Sequence, residues 1–381
     1  MLLAAALCAR NGLDGLPAAD WERLIGQARR AGVLARLARN SLPGGADPLI
    51  PDRRLASQGM IGSEAAAIEA SGPEPHLRAA LLMAARRAEA VQVECERVAD
   101  ALAVAGHRTV LLKGAAYLLA GLPPARGRVF GDIDLLVPHE ALAAAEAALL
   151  GGGWISTEQD AYNQRYYRQW MHELPPLTHF KRGSVLDVHH TIVPPTSRFR
   201  VDGGQLLAAI RPAGPDPRFW VLQPVDMVLH SAVHLYTDGD FERGLRDLLD
   251  IRDLLHHFAA DEPDFWTRLL DRAEALQLQR PLWAVVSQAE AMLDVVPPAL
   301  AARRLAGWAP RGPSAWMLRL MLAEMLSPEP GGGPGPGRAL LASAAYLRSH
   351  WLRMPLHLLL PHLLRKAWMA RFSPATAAPA R

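Results

Sequence analysis

The sequence predicts an α+β protein in which a small mixed sheet is flanked by helices, with helical regions at both ends of the chain. Three observations predict it. Apolar residues recur at helical spacing through the first third, the period shortens to that of strands between residues 109 and 190, and helical spacing returns after Pro195.

The chain has 381 residues, room for two domains of ordinary size and an appendage. Hydrophobic residues make up 50% and charged ones 21%, a balance that excludes wholesale disorder and a polytopic membrane protein. The net charge of +3 is too small to announce a nucleic-acid track, and it is unevenly spread. Arg338 to Arg381 holds seven Arg or Lys and no acid, which leaves the rest of the chain net negative. Only Lys113, Lys181 and Lys366 are lysines among the 41 basic residues, so a lysine at a particular place is informative. Cys8 and Cys95 fit neither a disulfide framework nor a thiolate metal site, and the expected location is a reducing cytoplasm. The apolar start, Met1 to Ala9, lacks a basic leader and meets Arg10 early. No apolar stretch reaches the roughly 18 to 20 residues of a membrane span.

Residues 1–75 read as a helical N-terminal region. Residues 2 to 39 carry Leu24, Leu34 and Leu37 among Ala and Arg, and Ser41 to Pro51 ends the pattern with Pro and Gly. A second Gly/Pro cluster, Ser71 to Pro75, precedes a core over 76–200. That core opens on a long helix, His76 to about Ala105, where Leu77, Leu81, Leu82, Val91, Val98 and Leu102 fall near helical spacing. Thr109 to Leu112 is a run of strand formers ended by Lys113-Gly114, Ala115 to Ala120 suits a helix, Gly121 to Gly127 is a loop, and Asp132 to Val137 is again a strand. Pro138 to Leu150 is a helix with Pro at its start, where a missing N–H costs nothing, and Gly151 to Gly153 beyond its end. Leu177 to Lys181 and Val185 to His190 are two further strands joined through Gly183. A helical domain follows over 201–326, with helices at Gln205 to Ile210, Pro224 to Tyr236, Phe241 to Phe258, Asp264 to Leu276 and Arg280 to Leu293. Residues 327–337 are a Gly/Pro linker by composition, and 338–381 a basic helical tail interrupted by Pro355 and Pro361.

Chemistry concentrates in Gly131-Asp132-Ile133-Asp134-Leu135-Leu136-Val137. Alternation puts Asp132 and Asp134 on one face of a hydrophobic strand, roughly 6.6 Å apart along it. At an effective dielectric near 20, two such charges repel by about 2.5 kcal/mol, which a divalent cation offsets directly. Solvent, or pairing with Arg126 and Arg128, is the blander account of the same acids. Eighteen residues before Asp132, Gly114 sits in Leu111-Leu112-Lys113-Gly114-Ala115, a strand that turns into a helix, so backbone N–H groups and the charge of Lys113 can face an anion. A third acid, Asp187 in Val185-Leu186-Asp187-Val188-His189-His190, shares its face with His189 and can complete a three-carboxylate site.

A Gly turn after a strand, Asp-x-Asp on the next strand and a lone Asp on a later one resemble the polymerase-beta-like nucleotidyltransferase superfamily. Leu-Leu-Lys-Gly-Ala, Arg128 four before Asp132, Asp-Ile-Asp-Leu-Leu-Val and Asp-Val-His are similar to the bacterial family of uncharacterised nucleotidyltransferases over about residues 76 to 260. The resemblance implies a nucleotidyltransferase-type sheet in which Asp132, Asp134 and Asp187 bind Mg²⁺ or Mn²⁺ and carry catalysis. It also implies that Lys113, Gly114, Ala115, Arg128 and His189 lie on the nucleotide side, with a nucleoside triphosphate such as ATP as co-substrate. The implied reaction is attack of an acceptor hydroxyl on the α-phosphorus, with pyrophosphate leaving and no covalent nucleophile required. The turn departs from the superfamily's usual Gly-Gly or Gly-Ser, since Ala115 removes a hydroxyl.

Ala115 supports a second reading, a catalytically degenerate nucleotide-binding or scaffold protein, and the same carboxylates with water as acceptor would make a phosphohydrolase. The acceptor is open: a protein side chain, a sugar, another small molecule or RNA. In the helical domain His230 and His234 fall at i, i+4 without the Glu of a metalloprotease motif and read as core or pocket-lining residues. Asp247, Asp250 and Asp253 punctuate the next helix, with Arg246 and Asp250 read as a surface pair. The tail suits a helix docked on the protein itself, or a peripheral contact with anionic lipid of the inner membrane through 338–381.

Overall fold

Helical spacing in the N-terminal region resolves into separate segments where a residue takes a conformation that no helix continues. The computed structural model describes residues 2–8, 13, 15–42, 72–158, 160–328 and 335–372. The Pro and Gly residues expected to break the chain at 43–51 lie outside the described residues, as do Ser71, residues 329–334 of the linker and the end of the tail, 373–381. Where one helix is expected between residues 2 and 39 there are three, Leu2–Cys8, Ala18–Arg30 and Leu34–Ser41. Gly32, at φ +68°, ends the second of them. The Val33 N–H reaches back to the Ala28 carbonyl and the Gly32 N–H to that of Arg29, a Schellman closure that turns the chain into the third helix. The Glu74–Val104 helix buries Leu77, Ala84, Ala88, Val91, Cys95, Val98 and Leu102, a stripe at helical period that lies against the Leu34–Ser41 helix and the edge of the core.

Seven strands form one mixed sheet: β1 (Thr109–Leu112), β2 (Ile133–Leu136), β3 (Trp154–Ser156), β4 (Leu177–His179), β5 (Val185–His189), β6 (Arg211–Pro212) and β7 (Phe219–Val221). Their order is β3-β4-β5-β2-β1-β7-β6. β1 runs antiparallel to β2 and parallel to β7, while β2 runs parallel to β5. Every residue of β1 and β2 is buried, and the helix Lys113–Leu119 packs against both strands. The chain thus adopts the α+β architecture that its sequence predicts. β3, β6 and β7 go beyond that expectation. Each is two or three residues long, too short to show alternation, and forms because a neighbour offers an unpaired edge. β7 lies beyond residue 200, where the sequence reads as wholly helical, and its pairing with β1 ties that region to the sheet.

The helices that follow include Pro224–Thr237, almost wholly buried, Gly244–Asp261 packed against it, and Phe265–Ala275 and Gln279–Met292. Ala161–Trp170, Ala299–Gly307 and Pro313–Leu326 are helices that the sequence reading leaves out. The tail forms Pro336–Arg353 and Leu356–Phe372; the break falls at Pro355 as expected, but Pro361 is accommodated inside the second helix. The first tail helix docks on Pro313–Leu326 and Pro224–Thr237, burying Ala345, Ser349, His350 and Leu352. Among the described residues, no helix is long and apolar enough to cross a membrane.

Candidate functional site

β1 ends on an unusual backbone: Lys113 has φ +43°, a left-handed residue that turns the strand directly into the helix Lys113–Leu119. Its Nζ lies 3.3 Å from Asp134 Oδ1 on β2. Antiparallel register sets Leu112 opposite Asp134, and parallel register sets Asp134 opposite Asp187 on β5. Adjacent strands are about 4.8 Å apart, so those two acids are lateral neighbours. Asp132 precedes Asp134 by two positions and shares its side of the sheet, exposed where the strand begins. The same parity puts His189 on that face, its Nε2 3.0 Å from Asp134 Oδ1.

These neighbours divide the acids electrostatically. Burial by itself would raise the pKa of Asp134, but Lys113 and the hydrogen bond with His189 outweigh it and hold this carboxyl well below its usual range. Asp187 has no such support. Burial, then the negative fields of Asp134 and Glu173, push it up to about 7, and its buried Oδ1 has no hydrogen-bond partner. His189 is raised in spite of its burial by the bond to Asp134 and by Glu173. His230 is driven toward the neutral form by burial and Lys113, and His234 by Lys113 and then burial.

Lys113, Asp132, Asp134, Asp187 and Arg128 all line one cavity of about 1210 Å³. Asp132, Asp134 and Asp187 share it without closing to within 4.8 Å of one another; among the described residues the His, Cys, Asp and Glu side chains that do so are His172, Glu173 and His189. Strand geometry sets the wider spread of the three aspartates, since Asp132 and Asp134 are two positions apart along one strand and Asp187 lies on the next. Gly114 and Ala115 are buried behind the cavity wall rather than part of it. A side chain at Gly114 would meet Arg128 Nε at 3.2 Å, so this glycine makes room for an arginine.

Arg128 is buried over Tyr117 and ion-paired with Asp250, and burial and Arg246 bring its pKa down to about 10. Asp250 corrects the surface pair expected with Arg246. It is 2% exposed and lies between Arg128 and Arg36, while Arg246 bonds its neighbour Asp247 at 2.7 Å. Arg246 and Asp250 do share a helix face, but that face is turned to the cavity rather than to solvent, and Arg246 is itself only 12% exposed. Arg36 also reaches Asp253 at 3.0 Å and the Pro124 carbonyl, joining the N-terminal helices to the cavity's rear wall. His234 lines the cavity and His230 is buried behind it, as their spacing suggests.

Sequence reasoning passed over Arg36, His172 and Glu173. The Met171-His172-Glu173-Leu174 stretch ahead of Pro175 gave one usable signal, an adjacent His and Glu shortly before a strand, but its contact with His189 arises only on folding. A family model described as an uncharacterised nucleotidyltransferase matches residues 17–294. No curated protein and no solved structure matches the chain.

Proposed function

Because the chain belongs to the family of uncharacterised nucleotidyltransferases, we propose that it moves a nucleoside monophosphate from a nucleoside triphosphate to a hydroxyl acceptor and releases pyrophosphate. In this reading Asp132, Asp134 and Asp187 hold Mg²⁺ or Mn²⁺, as in the polymerase-beta-like superfamily. The observation that carries it is the register of β2 against β5, which sets Asp134 beside Asp187 on the wall of a cavity that Asp132 also lines. The donor set suits such an ion: three carboxylates are hard oxygen ligands, and Asp187 Oδ1 is buried with no hydrogen-bond partner. When bound, a divalent cation neutralises the clustered charge, lowers the acceptor's pKa and offsets charge on the leaving pyrophosphate.

The protein's own groups would do the rest. Lys113 and His189 fix Asp134 in its ionised form and orientation. Arg243 and Arg246 line the same cavity and bring positive charge to the triphosphate. The volume exceeds the roughly 300–1,000 Å³ of a single small-molecule site, leaving room for both the triphosphate and the acceptor. The acceptor oxygen attacks the α-phosphorus in line; its bond forms as that from the α-phosphorus to the bridging β-oxygen breaks. The acceptor's proton passes to Asp187 or to water.

Incubation with Mg²⁺ and triphosphates labelled at the α or the γ phosphorus tests this reading. The α label should pass to an acceptor and the γ label leave as pyrophosphate. Inorganic phosphate alone would indicate a phosphohydrolase, and binding without turnover the degenerate module favoured by Ala115 and by the charge that Lys113 commits to Asp134. For the tail we propose contact with an anionic membrane surface through outward residues such as Leu347, Leu360 and Leu364, all exposed. Flotation with anionic vesicles, full chain against a chain ending at residue 335, checks it; equal flotation removes the idea.

A further inference from the structure

On the side of His189 away from Asp134 lies a second set of metal-type ligands, and it differs in chemistry from the aspartates. Glu173 Oε2 is 3.4 Å from His189 Nδ1 and 3.9 Å from His172 Nε2. One ligand atom from each of the three residues falls within 4.8 Å of the other two. Ligand atoms about 2.0–2.1 Å from a tetrahedral ion stand roughly 3.4 Å apart, so small side-chain rotations bring all three to coordinating distance. His189 Nδ1 and His172 Nδ1 are both buried without a hydrogen-bond partner. At 3.4 Å, Glu173 is beyond a normal hydrogen bond to His189 Nδ1, which has no hydrogen-bond partner.

The backbone holds this arrangement in place. Residues 172 to 174 run beside β5 as an antiparallel partner, with the His190 N–H on the His172 carbonyl at 2.9 Å and the Leu174 N–H on the Val188 carbonyl at 2.9 Å. Glu173 is thereby set across from His189. The side chains of His172 and Glu173 are 15% and 19% exposed, so solvent reaches the cluster from outside while His189 closes it from within.

We propose that His172, Glu173 and His189 bind a zinc-type transition-metal ion, at a site separate from the oxygen-only aspartate site. Two imidazoles and one carboxylate select a borderline-soft ion, whereas Mg²⁺ prefers oxygen alone. With Nδ1 on the metal, the proton of His189 resides on Nε2 and is donated to Asp134 Oδ1, the carboxylate–histidine–metal arrangement that fixes a ring's tautomer and direction. The ion would act by positioning: it locks His189, and His189 locks Asp134. Only that consequence rests on the nucleotidyltransferase reading; metal binding does not.

The test is metal content and spectroscopy of the full-length protein, with transfer activity measured separately. Purified protein should carry about one zinc per chain that excess Mg²⁺ does not displace. Cobalt substitution should give the visible d–d bands of a low-coordinate site, and X-ray absorption at the zinc edge should report two imidazole nitrogens. His172→Ala should weaken cobalt binding by about 10- to 100-fold and leave Mn²⁺ binding unchanged, whereas Asp187→Asn should do the reverse. Absence of cobalt bands in the wild-type protein, or bands that survive His172→Ala, would overturn the site and leave Glu173 as an electrostatic neighbour of His189 alone. Because the wild-type spectra stand by themselves, a variant that fails to fold does not rescue the proposal. A zinc-loaded protein without transfer would count against the proposed activity alone.

Discussion

Two clusters of charge reach the same cavity, one through Arg128 and Asp250 and the other through Lys113, Asp134 and Asp187, and they are balanced in different ways. In one, Asp250 lies between Arg36 and Arg128, and Asp253 takes the remaining charge of Arg36, so both signs come from the fold itself. In the other, Asp134 is matched by Lys113 and His189, but Asp187 has an unpartnered oxygen and a pKa pushed up to about 7. Charge neutralised from within holds elements together; charge left unneutralised marks where an external charge would bind. The first cluster should therefore answer to measurements of stability, and the second to measurements of ligand and activity.

The largest expected effect is on activity. Replacing both Asp132 and Asp134 with Asn removes two carboxylates from the cavity without changing side-chain volume, and transfer should fall below detection at saturating Mg²⁺. Circular dichroism should stay native, while the thermal midpoint should fall, though less than in Asp250→Ala, because Asp134→Asn leaves Lys113 without the carboxylate that neutralises it. Transfer at the wild-type rate would place the chemistry elsewhere. Asp250→Ala should do the opposite. It leaves Arg36 and Arg128 buried without their shared partner, a change that costs about 3–5 kcal/mol when one side of a buried pair is removed. Urea denaturation would read it, and a loss below about 1 kcal/mol would show that the two clusters do not differ as described.

The next effect is conditional on pH and metal. Burial raises the Asp187 pKa in the folded chain above its ordinary 3.8, so the folded protein holds a proton between about pH 4 and 7 that the unfolded chain has released. Stability from this group is present below that window and lost as pH rises through it. Asp134, shifted the other way, is common to both chains and largely cancels in a comparison of wild type with Asp187→Asn. In EDTA the variant's thermal midpoint should gain on that of wild type from pH 4 to 7 and stay above it at pH 8. Saturating Mg²⁺ should raise wild type and move the variant little, through binding to the folded state. A pH-independent difference would mean that Asp187 is paired in solution.

What could be read in advance follows from how local each feature is. β1, β2 and β5 are four or five residues long and alternate or run apolar, so they and their acids are visible in the sequence; β3, β6 and β7 exist only through their partners. Asp132, Asp134, Asp187 and Lys113 lie in contiguous motifs, and the sheet brings them to one cavity. Arg36 and Asp250 are 214 positions apart, and no periodicity predicts that an arginine in an Ala-rich helix will be buried against that acid. Gly114 was legible as a glycine that must be there, but not for its reason: the close neighbour is Arg128. His172 and Glu173 belong with His189 because an irregular segment lies beside β5, a pairing too short to leave a pattern.

The smallest effect isolates what burial contributes. Arg218 bonds Asp216 at 2.7 Å and Asp100 at 2.8 Å, distances no longer than the 3.0 Å between Arg36 and Asp253. Its side chain is 41% exposed, however, against 8% for Arg36. Water already solvates Arg218 in the unfolded chain nearly as well as its partners do in the folded one, and ordering the side chain costs entropy. Arg218→Ala should therefore cost no more than about 1 kcal/mol, and added salt should shrink even that. Denaturation at low and high ionic strength, run beside Asp250→Ala, measures both. A surface loss as large as the buried one would mean that distance rather than solvent exclusion decides what an ion pair is worth in this fold, and the contrast between the two cavity clusters would lose its basis.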